Sequence, residues 1–111
     1  MTELDPITLG EILEQEFMIP IHINQARLAQ EIMVPVGRIS QIIHGKREIT
    51  VDTAFRLSRF FGNTPQFWLN LQNEYNMRKY KNTWEGIASR IIPFNSHSSF
   101  QEQAIQTETR H

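Results

Sequence analysis

A chain of 111 residues that is 40% hydrophobic can build one modest core, and no apolar run approaches the ~18 residues that a membrane-spanning helix needs. Cysteine is absent, which excludes disulfides, thiolate metal sites and thiol nucleophiles together and suits a reducing, cytoplasmic setting. The formal net charge is −1, yet residues 1–35 carry six carboxylates against Arg27, whereas residues 36–61 carry five cations against Glu48 and Asp52.

The acidic start, Met1 to Pro6, leads into no apolar signal core, so no secretory leader is expected. Thr8 and Glu11 then have the spacing of a capping box, with Ile7 and Ile12 as a hydrophobic staple. Leu9, Ile12, Leu13 and Phe17 share one face and predict a first helix over residues 9–17, which Pro20 should stop. Asn24 caps a second helix whose buried stripe is Leu28, Ala29 and Ile32, with Pro35 as its limit. Val36, Ile39, Ile42 and Ile43 recur at helical spacing and predict a third helix over 36–43, ended by a left-handed Gly45. Thr50 caps a fourth helix with inner residues Ala54, Leu57 and Phe61, closed by Gly62. Thr64-Pro65, a cap followed by proline at the first helical position, opens a fifth over 65–80.

No strand pair and no internal repeat is visible. The expected fold is therefore all-α, with five short helices in a domain of residues 1–81 and an extension of residues 82–111. Trp84 to Ile92 has room for one more turn or short helix. Pro93 to His111 is polar, with little to bury, and reads as a mobile tail.

The segment from Gln25 to His44 holds two short helices joined by a tight turn, and such a pair must cross steeply on a small residue, here Ala29. Burial of Leu28, Ile32, Val34, Ile39 and Ile42 leaves Val36, Gly37, Arg38, Ser40, Gln41 and His44 outward or at the edge of the second helix. That is the pattern of a helix-turn-helix, whose second helix enters the major groove and reads bases from its N-terminal side chains. Arginine pairs with guanine and glutamine with adenine, each in bidentate geometry. The N-terminus at Gln25 offers backbone N–H groups to a phosphate, and Lys46 and Arg47 follow where the chain would cross the DNA backbone. Gly37 costs about 1 kcal/mol relative to alanine inside a helix, a cost that close approach to DNA would explain. Arg56 and Arg59 read as solvated helix-surface charges. A helical pair that binds nothing is the bland alternative, and it leaves the basic loop and polar outer face as coincidence.

The stretch resembles the Xre/Cro-type helix-turn-helix family and, more narrowly, the HigA antitoxins, also called virulence-associated protein I. The resemblance covers residues 5–80 and rests on Pro6-x-x-x-Gly10-Glu11-Ile12-Leu13, Leu28-Ala29, Arg38 to Arg47 with Ile49-Thr50, Ala54-x-Arg56-Leu57, and the run Phe67-Trp68-Leu69-Asn70-Leu71-Gln72. It implies an antitoxin that silences a HigB-like mRNA endonuclease toxin and represses the shared operon as a dimer. A stand-alone Xre-type repressor without a toxin is the alternative. One departure is Val34-Pro35-Val36-Gly37, which stands where relatives often carry a Ser or Thr cap.

Trp68, Leu71 and Tyr75 fall on one stripe of the fifth helix, and Leu69, Asn76 and Tyr80 on another. One small domain has difficulty burying apolar groups on several faces, so Phe67, Trp68, Leu69, Leu71 and Tyr75 are expected to form a homodimer interface. A symmetric dimer sets two reading helices about 34 Å apart, and the expected operator is a palindrome of double-stranded DNA. His22, His44, His97 and His111 lack metal-ligand spacing, and no phosphate loop or nucleophile elbow is present. The reading is of a protein without catalytic site, metal or cofactor, and with no membrane association.

Overall fold

The computed structural model describes residues 7–96; the acidic start and residues 97–111, most of the segment read as a mobile tail, lie outside the described residues. Thr8 Oγ1 accepts the Glu11 N–H and Glu11 Oε1 accepts the Thr8 N–H, both at 3.1 Å, so the capping box closes at the start of α1 (Leu9–Ile12). The first helix then runs longer than expected and changes pitch. Leu13–Met18 is π-helical and Ile19–Ile21 is 3₁₀. On an ideal α-helix Leu13 and Met18 would point about 140° apart. The wider π turn aligns residues five apart, and both side chains are buried. Pro20 is not the stop; it sits in the opening turn of the 3₁₀ segment, where a missing N–H is tolerated. The reversal comes at His22, which is left-handed at φ 59°.

The next elements follow their signals: α2 (Gln25–Ile32), α3 (Val36–Ile43), α4 (Val51–Phe61) and α5 (Pro65–Ala88), with a further 3₁₀ turn at Phe94–Ser96. Asn24 Oδ1 accepts the Arg27 N–H at 2.8 Å, and Thr50 Oγ1 accepts the Thr53 N–H at 3.3 Å. Gly45 and Gly62 take the left-handed conformation at φ 75° and 81°. Among the described residues all regular structure is helical, so the fold is all-α as the patterning requires.

The chain divides into two compact units after Lys79. In the first, Leu13, Leu28, Ile39, Leu57 and Trp68 are fully buried at the centre of one core. Gly10 is buried too, because α1 packs directly onto the last turn of α3: an added Cβ would lie 2.3 Å from the Ile43 carbonyl oxygen. An aromatic cluster closes the opposite end, with Trp68 4.8 Å from Phe17, 5.1 Å from Phe67 and 5.9 Å from Phe61 between ring centroids. In the second unit α5 passes its expected end at residue 80 and continues to Ala88. The physical reason is the absence of proline, since the first after Pro65 is Pro93, and the helix carries Gly86 within its last turn. Tyr80, Trp84 and Ile87 continue at helical spacing, and Tyr80 and Trp84 are exposed.

Candidate nucleic-acid interface

The helical pair α2 and α3 crosses on Ala29, which is 3% exposed, as a steep crossing requires. Between the helices Met33 stands in the left-handed region at φ 63°, a conformation that costs an L-residue about 1–2 kcal/mol. The Val34 N–H donates to the Ala29 carbonyl at 3.0 Å and closes the end of α2. Arg56 of α4 then secures the turn, its NH1 donating to the Ile32 carbonyl at 2.9 Å and the Met33 carbonyl at 3.2 Å. Arg56 is thus a structural tie rather than the solvated surface charge expected from sequence. Its Asp52 spacing was legible as an i,i+4 pair; its reach across 24 residues to α2 was not.

Val36, Gly37, Gln41, His44, Lys46 and Arg47 are all exposed, whereas Gln25, Arg38 and Ser40 are half-buried. The structure brings the end of α3 and the basic loop together. Gln41 is held twice: its backbone carbonyl accepts the Lys46 N–H at 2.7 Å, and its Oε1 accepts Arg47 Nε–H at 2.9 Å. The amide Nε2 donors and a second Oε1 lone pair remain for a base edge. His44 Nδ1 lies 2.8 Å from the Ser40 carbonyl, a contact that is a hydrogen bond when Nδ1 carries the proton. Gly37 has no atom within 4 Å of where a Cβ would stand, so nothing in its own chain requires glycine there.

Arg38 is not turned outward as expected. Its NH1 donates to Asp52 Oδ2 at 3.2 Å and to Thr53 Oγ1 at 3.4 Å, laying the side chain back on α4. Asp52 therefore sits between two guanidiniums. Hydrogen bonding from Arg56 above all holds its carboxyl below the ordinary aspartate range; desolvation is the next largest effect and opposes it, and the Coulomb field of Arg56 and the bond and field of Arg38 add to the lowering. Arg38 and Arg56 are the cations committed to this pairing, while Lys46 makes no ion pair among the described residues.

A buried residue behind the site escaped the functional reading. Gln72 of α5 is 8% exposed, and its Oε1 accepts the Ile49 N–H at 2.9 Å, anchoring the exit of the basic loop. Its sequence signal was its place at the end of the run Phe67 to Gln72, which carries the family resemblance but does not say what the amide would bind. The expected dimer surface also needs correction at Trp68, which is 0% exposed. Its indole is packed among Phe17, Phe61 and Phe67, and its Nε1–H donates to Asn63 Oδ1 at 2.9 Å, so it has no surface to offer a second chain. Phe67 is 37% exposed, and Leu69, Leu71 and Tyr75 are half-buried. Among the described residues no helix is long and apolar enough to cross a membrane.

Comparison with known proteins places this geometry in context. A helix-turn-helix family model matches residues 15–68. Virulence-associated protein I of Dichelobacter nodosus is 37% identical over 94 residues, covering 85% of this chain and 86% of that protein. A solved addiction-module antidote protein of the HigA family from Coxiella burnetii is 39% identical and superimposes with a TM-score of 0.75, covering 82% of this chain and 100% of that one. The Pseudomonas aeruginosa antitoxin HigA, solved with the higBA promoter, is 38% identical with a TM-score of 0.76, covering 80% of this chain and 98% of that one.

Proposed function

The chain belongs to the HigA-type (virulence-associated protein I) family of helix-turn-helix proteins, and on that premise we propose that it is a DNA-binding antitoxin. In this reading α3 enters the major groove of a palindromic operator, a dimer represses its own operon, and another surface binds and silences a HigB-like mRNA endonuclease toxin. The observation that carries the DNA part is the continuous polar edge from Gln41 and His44 into Lys46 and Arg47, fixed by the two contacts on Gln41.

The parts divide the work by their chemistry. Asn24 takes the Arg27 N–H, leaving the Gln25 and Ala26 N–H groups at the α2 N-terminus for a phosphate. Lys46 and Arg47 supply sequence-independent phosphate contacts. Gln41 reads a base edge directly. Arg38 reaches a guanine only by releasing Asp52. Asp52 is exposed and ion pairs of exposed carboxylates hold weakly, whereas a bidentate base contact discriminates strongly, so release is favoured on the right sequence. Gly37 lets the α3 backbone approach the groove closely. The dimer contact falls to Phe67 and to Leu69, which lies in a shallow concavity with Gln66, Asn70 and Asn73 and with Glu48 at its edge.

The test is fluorescence anisotropy of the full chain with labelled duplex from the region upstream of its own gene, against scrambled duplex, across ~50–200 mM salt. Specific binding with a steep salt slope is expected, because phosphate contacts release counterions. Lys46→Ala should weaken all duplexes about equally, whereas the Arg38→Ala/Gln41→Ala double variant should lose base preference. Full specificity in that double variant would overturn the assignment of α3. Co-expression with the product of the adjoining gene tests the antitoxin part: a complex of near-equal stoichiometry is expected, and a dimer with no partner would favour the stand-alone repressor.

A further inference from the structure

A groove of ≈ 540 Å³ runs between the first helix and α5, sharing Leu9 and Tyr75 with the concavity beside Lys46 and Arg47, and DNA binding gives it no occupant. Its floor is apolar: Ile7 is 62% exposed, and Ile12, Leu71 and Tyr75 are half-buried along it. Its rim is acidic, with Glu11 and Glu16 on the α1 side and Glu74 on the α5 side. The one cation among its lining residues, Arg78, is paired with Glu74 at 3.5 Å, and Lys79 Nζ stands 5.4 Å from the Tyr75 ring centroid, leaving three rim carboxylates against these two cations.

We propose that this groove is the docking site for a basic amphipathic segment of the partner toxin, an assignment that rests on the antitoxin reading. Charge complementarity selects the occupant. A second copy meeting this face across a two-fold axis would set Glu11, Glu16 and Glu74 against themselves, and like charges in contact oppose association. A second copy offering its own basic α3–α4 segment would make a head-to-tail contact that does not close, and it would cover the DNA-reading surface. Segments of this chain outside the described residues match poorly: residues 1–6 add Glu3 and Asp5, and residues 97–111 carry Glu102 and Glu108 against Arg110. An apolar strip flanked by lysine or arginine satisfies both floor and rim. Leu71 and Tyr75, expected at the dimer interface, are thereby reassigned to this groove. None of the groove's lining residues belongs to α3, the reading helix.

The experiment uses the full chain, with the adjoining gene's product as probe, measured by calorimetry alongside operator anisotropy. Two variants act differently on the groove: Glu16→Lys/Glu74→Lys reverses its rim, and Gln15→Trp fills it from an exposed position. Glu85→Lys, on an exposed position of the second unit, is the charge control. Each groove variant should weaken the probe about tenfold or more, with unfolding midpoint and operator affinity kept, while Glu85→Lys binds as wild type. Equal binding by wild type and both groove variants overturns the groove and leaves the antitoxin reading standing. No binding by wild type overturns the antitoxin reading, and the groove assignment falls with it.

Discussion

Replacing Gly10 by alanine adds one methyl group to the face of α1 that rests on α3, and two effects of opposite sign compete. Helix propensity favours alanine over glycine by about 1 kcal/mol. Against it, the new Cβ would stand 2.3 Å from the Ile43 carbonyl oxygen and 2.5 Å from that of Ile42. Both are backbone atoms in the last turn of α3, so no side-chain rotation relieves the overlap. α1 must retreat by roughly 1 Å, loosening the packing of Leu9 and Leu13, and overpacking of this kind costs about 1–3 kcal/mol or more. With backbone on both sides of the clash the upper end applies, giving a net loss of about 2 kcal/mol. For a domain of this size that lowers the unfolding temperature by roughly 8–16 °C. Gly37→Ala makes the same chemical change where nothing lies within 4 Å, so only propensity acts, and a gain of about 0.5–1 kcal/mol is expected. Urea and thermal unfolding of the two variants decide the matter. If Gly10→Ala were as stable as wild type or more so, the claim of direct backbone contact between α1 and α3 would be refuted.

Gln72→Leu should leave the buried Ile49 N–H without an acceptor and lower stability by about 1–3 kcal/mol, with looser hydrogen-exchange protection at Ile49; unchanged protection would count against the anchoring role. Met33→Gly should relieve the left-handed strain of an exposed residue and, after the larger unfolded-state entropy of glycine, stabilise the fold by about 0.5 kcal/mol; a loss in the urea midpoint would contradict this. Asp52 has a folded-state pKa below its unfolded value, so its contribution is present above pH ~4 and disappears as pH falls through the folded value. Asp52→Asn should therefore be less stable than wild type near neutrality, and the two urea midpoints should converge as pH drops below ~4; a gap that persists in acid would exclude the ion pairs as its source.

The local grammar of this chain was legible from residues alone. The Thr8–Glu11 box, the Asn24 and Thr50 caps and the left-handed Gly45 and Gly62 each depend on contacts within a few residues, so composition and spacing specify them. The helix-turn-helix was legible for the same reason, since its small crossing residue, apolar interior and basic exit lie within one short segment. Tertiary packing decided the rest. Whether Trp68 faced its own core or a second chain depended on Phe17, Phe61 and Asn63 arriving around it. Arg38 and Arg56 look alike as cations, but the distance from α4 to α3 and to the end of α2 gives both to Asp52 and lets Arg56 alone hold the turn. The need for glycine at position 10 likewise comes from a helix more than thirty residues away. The π-helical turn that aligns Leu13 with Met18 has no local signature, because it is selected by where the core demands two side chains. Periodicity shows which face of a helix is apolar; only the packed neighbours show what that face meets.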